Sequence, residues 1–348
     1  MREKNNFDLL RLIAAAMVLV SHSYAIFGDP HAEPFTRFTK VGSMGSAAVY
    51  VFFIISGFLV TRSYVKGSGA LNFLRSRILR IFPALWVCVL LCAFILGPIA
   101  TTLPVGAYYV HPATYEYLKN MYLDITYMLP AVFYDNTYPI SINGSIWTLP
   151  YEFGMYLAVL VLGIAGLLNR GVCTLITAVL ALLYLFVHPT TIGLAGNNAI
   201  IYTEITSLGG LFAAGSMMSF MDLSFLRGKN IPLLACLVVV VFARSKFANA
   251  AMFVSLPIVV LGFGLMTSKA GKAVARMGDY SYGLYLYAFP VSQTVSWVTK
   301  HELNLYAQMA LTFFATLILA ALSWHLIERP ALMLKRSAPV DGRAVASA

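Results

Sequence analysis

Apolar runs of about 20 residues, the length needed to cross a bilayer core, follow one another along almost the whole of this chain. Between them no hydrophilic stretch is long enough to fold as a second domain. Hydrocarbon offers no hydrogen-bond partners, so backbone placed in it must satisfy itself, and such runs are helical. The spacing predicts spans at 7–27, 44–64, 81–103, 146–168, 172–188, 200–220, 231–247, 248–268, 280–299 and 305–327. The expected fold is therefore all-α, a polytopic membrane protein of about ten transmembrane helices. Charged residues make up 11% of the chain, too few to cover an aqueous surface, while hydrophobic residues reach 59%.

Two regions fit this scheme less well. Arg244 and Lys246 interrupt the seventh and eighth runs, so a re-entrant pair is an alternative there. Segment 110–135 is aromatic but only partly apolar, which suits a helix or loop lying along the outer face better than a span. A transmembrane domain over 5–332 is expected, with 333–348 as a disordered cytoplasmic tail.

The Lys and Arg distribution sets the orientation. With the N-terminus inside, the inner segments hold seventeen of these residues and the outer segments six. That positive-inside bias, with an even number of spans, puts both termini in the cytoplasm. The net charge of +10 then reflects topology and attraction to anionic lipid, and no nucleic-acid partner is implied. Cys88, Cys92, Cys173 and Cys236 all fall in apolar runs without a C-x-x-C pair, as small packing residues would, and no metal site is expected. Walker and dinucleotide-binding loops are missing too. The first run is too long for a signal-peptide core and lacks a small-residue cleavage site, so it is read as a retained helix.

Ionisable groups inside spans cost a few kcal/mol or more and so mark candidate sites (~3 kcal/mol on insertion scales). The first run carries Arg11 and His22 on one face, about 16 Å apart along the axis at the helical rise. Asp8 is placed one turn before Arg11, and a pair that merely fixes topology stands as the alternative to a functional arginine. Glu152, in Ser145-Ile146-Trp147-Thr148-Leu149-Pro150-Tyr151-Glu152-Phe153, lies at a depth similar to that of His22. A carboxylate at that depth would orient the imidazole and raise its basicity. Pro150 is expected to loosen a turn and open a cavity there. Arg75, Arg77 and Arg80 gather at the cytoplasmic mouth of the third run, with Arg77 and Arg80 spaced as a fork for phosphate oxygens. Ordinary positive-inside charge would produce the same cluster.

Together these fragments resemble the acyltransferase 3 family of bacterial membrane enzymes, over about residues 5–332. The resemblance rests on Arg11 with His22, Phe52-Phe53-Ile54-Ile55-Ser56-Gly57-Phe58-Leu59, Arg77-x-x-Arg80, Trp147 to Phe153, Ser281-Tyr282-Gly283-Leu284-Tyr285-Leu286 and Glu328-Arg329-Pro330. It implies a ten-helix core in the bacterial inner membrane. That core would move an acyl group, expected to be acetyl, from cytoplasmic acyl-coenzyme A (acyl-CoA, here acetyl-CoA) to a hydroxyl of an envelope carbohydrate or lipid-linked glycan. It further implies a catalytic His22, with Arg11 essential and Glu152 in the family's acidic position, and Arg77 and Arg80, with neighbouring Arg75, near the donor. Trp147, Tyr151, Ser145 and Tyr282 are the candidates for substrate contact. Many members carry His where this chain has Ala288, so that role does not transfer. Against this stands a transporter or flippase without acyl chemistry, which buried charges and broken helices would also suit.

Overall fold

The computed structural model describes residues 5–67, 69–139, 141–300 and 302–334, so most of the expected tail, 335–348, lies outside the described residues. Ten helices fall on the ten apolar runs: α1 Phe7–Phe27, α2 Met44–Val65, α3 Ala70–Leu91, α4 Leu149–Ile164, α5 Arg170–Phe186, α6 Gly196–Met218, α7 Asn230–Phe242, α8 Ala248–Leu265, α9 Ser281–Thr299 and α10 Leu305–Ser323. Among the described residues the β structure is an isolated bridge between Thr101 and Val132. Six helical stretches among the described residues are long and apolar enough to cross a membrane: Phe7–Phe27, Met44–Val65, Ala70–Ala100, Gly144–Ile164, Ala248–Leu265 and Leu305–Met333. The chain is thus an all-helical, multi-pass membrane protein. Helix α7 has 13 residues, about 20 Å at the helical rise, and falls short of the roughly 30 Å core. It stops before Arg244 and Lys246 and packs against α8.

Several boundaries differ from the hydropathy pattern for physical reasons. Helix α3 begins at Ala70, ahead of the expected 81, and takes Arg75, Arg77 and Arg80 into its first three turns. Hydropathy reports where the lipid begins, whereas a helix continues past it as long as its hydrogen bonds are made. Pro150 does not break a turn. It sits in the first turn of α4, where the ring's missing N–H has no partner to lose, and the backbone change is a 3-10 turn over Gly144–Thr148. Segment 105–122 forms short helical pieces (Val105–Val110, Pro112–Glu116, Tyr117–Tyr122), none of span length.

Close packing of α2 on α6 depends on two glycines. A Cβ on Gly57 would stand 2.0 Å from the Phe212 carbonyl oxygen, and one on Gly215 would stand 2.3 Å from that of Ile54. With the backbones this near, Thr61 Oγ1 bonds Ser216 Oγ at 2.9 Å, and Ser216 Oγ reaches the Gly57 carbonyl at 3.3 Å. Lipid tails are as apolar as side chains, so such intimate contact and interhelical hydrogen bonds hold membrane helices together.

Broken helical ladders elsewhere are repaired by name. Helix α3 runs into a π-turn over Cys92–Leu96. The outer-segment hydroxyls of Tyr108 and Tyr109 donate there to the carbonyls of Ala93 (2.7 Å) and Phe94 (3.2 Å). Gly97 must lack a side chain, because its Cβ would meet the Tyr108 hydroxyl at 1.9 Å. In α9, Pro290 has no N–H for the Leu286 carbonyl, and Asn143 Nδ2 donates to that oxygen at 2.9 Å. Gln293, one turn on, donates to the carbonyls of Tyr138 and Ser141, both at 2.6 Å. The connection that leads into α4 is thereby pinned to α9.

Gly57→Val should separate α2 from α6. Overpacking of this kind costs about 1–3 kcal/mol or more, read as a lower unfolding temperature of the detergent-purified protein. Asn143→Ala should leave the Leu286 carbonyl with only the weak Cys88 thiol donor at 3.8 Å, at a cost of about 1–3 kcal/mol, visible in the same measurement.

Candidate active site

Four charged residues from α1, α3, the α9 entrance and the end of α10 meet at the arginine-rich end of the bundle. Arg80 Nη2 lies 2.7 Å from Asp279 Oδ2, and its Nη1 lies 3.6 Å from Glu328 Oε2. Arg11 Nη1 approaches the same Asp279 oxygen at 3.8 Å. Asp279 is 7% exposed and Glu328 2%, so both carboxylates depend on these partners. Ser281 and Ser323 donate hydroxyl hydrogen bonds to the remaining oxygens of Asp279 and Glu328. A second π-turn, Trp324–Glu328, ends with Glu328 at this cluster. Asp279 sits in the connection ahead of α9. Burial would raise its carboxyl, but Arg80, then Arg11, then the Ser281 bonds outweigh burial and hold it down to about 2.

Beside the cluster lies a cavity of about 60 Å³ whose walls include Arg11, Arg80, Ser56, Glu152 and Tyr282. Glu152 Oε1 accepts from the Tyr156 hydroxyl and from Ser56 Oγ at 3.4 Å. The Arg80 guanidinium stands over the Tyr282 ring at 5.5 Å, and the Tyr282 hydroxyl donates to the Ile81 carbonyl at 2.9 Å. Arg77 takes a different course from Arg80. It stacks between Phe73 and Tyr156, 5.6 Å from each ring centroid, and Arg75 is exposed. The two arginines of the fork therefore have separate partners: one steadies the Glu152–Tyr156 pair, and the other is ion-paired.

His22 is elsewhere. It lines a larger cavity, about 480 Å³, with Ser21, Glu33, Ser46 and Trp147 among its walls. Its ring meets Phe289 edge-on, with centroids 5.0 Å apart. Arg11 and His22 thus open onto different cavities, three turns apart on one helix. The expected partnership of His22 with Glu152 is not formed. Glu152 bonds Ser56 and Tyr156 in the arginine cavity, and Glu33 is the carboxylate that shares the cavity of His22. Equal depth along two helices leaves open which way each helix faces, and here the two side chains line different cavities. Glu33 is itself committed, since it accepts from the Met44 N–H at 3.0 Å and from Thr36 Oγ1.

Two residues, Val49 and Tyr285, line both cavities. The Tyr285 hydroxyl has one proton. With that proton donated to the Ser145 carbonyl at 2.6 Å, Thr148 Oγ1 donates to the phenol oxygen at 2.7 Å. Ser145 is buried with its own Oγ unpartnered among the described residues, while Tyr151 packs edge-on against Trp147 at 5.9 Å. Ala288 is buried against α1 with Ala14, Ala15 and Val18, so that face of α9 serves packing.

Four acidic residues escaped the sequence reading. Asp279, Glu33 and Glu328 sit at or beyond span ends, where hydropathy treats charge as solvated. Glu328 appeared only as a motif letter. Glu204 is different. It lies within α6, half-buried, near enough to Tyr50, Tyr151 and Tyr184 to act on them electrostatically. The cost argument that singled out Glu152 applies equally to it.

The chain matches the family model described as an acyltransferase domain over residues 4–326, and it belongs to the acyltransferase 3 family. It is 32% identical over 354 residues to a protein named O-acetyl transferase from Shigella phage Sf6, covering 97% of this chain and 98% of that one. It is also 32% identical over 364 residues to nodulation protein 10 of Rhizobium leguminosarum bv. viciae, covering 96% and 95%. A shorter match, 30% over 151 residues, is to the acyltransferase MdmB of Streptomyces mycarofaciens, covering 42% and 36%. No solved structure matches.

Asp279→Asn should leave Arg80 and Arg11 short of a counter-charge. Removing one partner of a buried pair costs about 3–5 kcal/mol, to be read from thermal unfolding in detergent. The pH dependence follows from the depressed carboxyl. The stability it contributes is present above the unfolded value of 3.8 and is lost as pH falls through about 2. The wild-type protein should accordingly show an acid-induced loss that the Asn variant lacks.

Proposed function

We propose that this protein is an O-acyltransferase of the bacterial inner membrane. In this reading it moves an acetyl group from cytoplasmic acetyl-CoA to a hydroxyl of an envelope carbohydrate or lipid-linked glycan. The observation that carries the reading is the pair of cavities on one helix, an arginine-walled one near Arg11 and a histidine-walled one near His22, in a chain of an acyltransferase family. Similarity to the phage O-acetyl transferase favours acetyl over longer groups. The excess of Lys and Arg in the segments assigned inside supports a cytoplasmic location for both termini, and in this reading the arginine cavity faces the coenzyme A side.

In this mechanism Arg77 supplies positive charge for the phosphates of coenzyme A, beside Arg11 and Arg80, whose charge Asp279 and Glu328 already share. The pantetheine arm carries the thioester toward His22. The acceptor hydroxyl enters the larger cavity, where Trp147 offers a face for a sugar ring. His22 takes the hydroxyl proton as the oxygen attacks the thioester carbon. The carbon–sulfur bond breaks, a carbon–oxygen bond forms, and the departing thiolate receives a proton. Ser145, whose carbonyl accepts from Tyr285 and whose buried Oγ has no partner among the described residues, is our candidate donor to the oxyanion. Glu152, held by Ser56 and Tyr156, acts on the donor side, where its charge lies among the arginines.

Mass analysis of envelope glycans from bacteria with and without this protein should show a mass shift of one acetyl group per modified sugar. His22→Ala should reduce that modification by about 10²–10⁴-fold, the scale of a lost general base. The variant should still accumulate in the membrane and keep its wild-type unfolding temperature. Undiminished acetylation by His22→Ala would reject the base assignment, and an unchanged glycan in the wild type would reject acyl transfer.

A further inference from the structure

The reading above leaves a steric problem. A donor held by the arginine cavity and an acceptor held by the His22 cavity are on opposite sides of a wall, and Val49 and Tyr285 are the residues that face both. Both are buried, Val49 at 6% and Tyr285 at 6% exposure. The tyrosine cannot swing aside cheaply. Its hydroxyl is tied to the Ser145 carbonyl at 2.6 Å and to Thr148 at 2.7 Å, and its ring lies edge-on to Phe52 at 5.7 Å. Val49 carries no such ties. It is branched at Cβ, so it is stiff at χ1 and presents a wall of fixed width. The cavity on the donor side is small, about 60 Å³, and has Phe52 and Phe53 behind Val49 in its lining.

We infer that Val49 and Tyr285 form the partition across which the acyl group is handed over, and that Val49 sets the largest acyl chain the enzyme transfers. The inference rests on the acyl-transfer reading and extends it to donor specificity. The thioester carbonyl must come level with this partition for the acceptor oxygen to reach it from the His22 side. The alkyl part of the acyl group then points back into the space bounded by Val49, Phe52 and Tyr285. Tyr285 is the fixed wall there, and Val49 is the one whose size a substitution changes without removing a hydrogen bond. A two-carbon group leaves Val49 in place, whereas each added methylene has to displace it.

The test uses inverted membrane vesicles from bacteria that make the modified glycan and express wild type, Val49→Ala or Val49→Ile. The coenzyme A side faces the medium, and the native acceptor is retained. Isotope-labelled acetyl-CoA and butyryl-CoA are supplied separately, and label incorporated into glycan is measured for each. Val49→Ala should raise the butyryl-to-acetyl ratio about tenfold or more, the discrimination a pocket wall exerts per methylene or two. Val49→Ile should lower it. An unchanged ratio in variants that still transfer acetyl overturns the partition and leaves the function standing. If wild-type vesicles label the glycan with neither donor, acyl transfer falls and the partition with it. Should Val49→Ala fail to accumulate in the membrane, the direction of the change in Val49→Ile decides the question.

Discussion

The cost of holding charge away from water organises this molecule. Arg11, Arg80, Asp279 and Glu328 come from four separate places in the chain, and none of them is affordable alone in a low-dielectric interior. Meeting as two cations and two anions, they bind α1, α3, the entrance to α9 and the end of α10 into one unit. The hydrophobic effect does little to select partners among helices already surrounded by lipid, so this polar knot and the glycine contact of α2 on α6 fix which helix lies beside which. Both cavities follow from that arrangement. The arginine cavity lies beside the knot, and the His22 cavity lies three turns further along α1 under the connection that carries Glu33.

Much of the fold was legible in the sequence because lipid imposes one rule on every residue of a span. Each apolar run overlaps a helix among the described residues, six of the helical stretches being of span length and apolarity, and the boundary errors have a common source. Hydropathy marks the edge of the hydrocarbon, so it started α3 eleven residues late and drew α7 longer than it is. The site was legible to a lesser degree. Arg11, His22 and Glu152 stood out because each is expensive where it lies. The partners of those residues did not stand out, since the rise per residue gives depth along a helix and says nothing about rotation or neighbours. His22 and Glu152 were matched by depth, yet they line different cavities, with Val49 and Tyr285 shared by both. Asp279 and Glu33 were silent for the opposite reason: in the sequence they fall in connections, where an acidic residue usually meets water.

Tyrosines in the outer segment illustrate a further limit. From composition, Tyr108 and Tyr109 suit either an interfacial belt or a sugar platform. In the structure their hydroxyls donate to the Ala93 and Phe94 carbonyls, just ahead of Pro98, which has no N–H to return to them. Pro98 announces a break in the ladder, but which side chains mend it is set by how the outer segment folds back, and the sequence alone does not give that.

The wide turn at Trp324–Glu328 has a consequence of its own for how this protein tolerates change. A π-turn is an α-helix with one residue too many, and deleting a residue inside it would restore the regular ladder without breaking the helix. Everything beyond would then rotate by about 100°, the angle one helical residue subtends, and Glu328 would swing off Arg80. The C-terminal end of α10 thus carries a register mark: the extra residue in the wide turn sets the direction in which Glu328 is delivered.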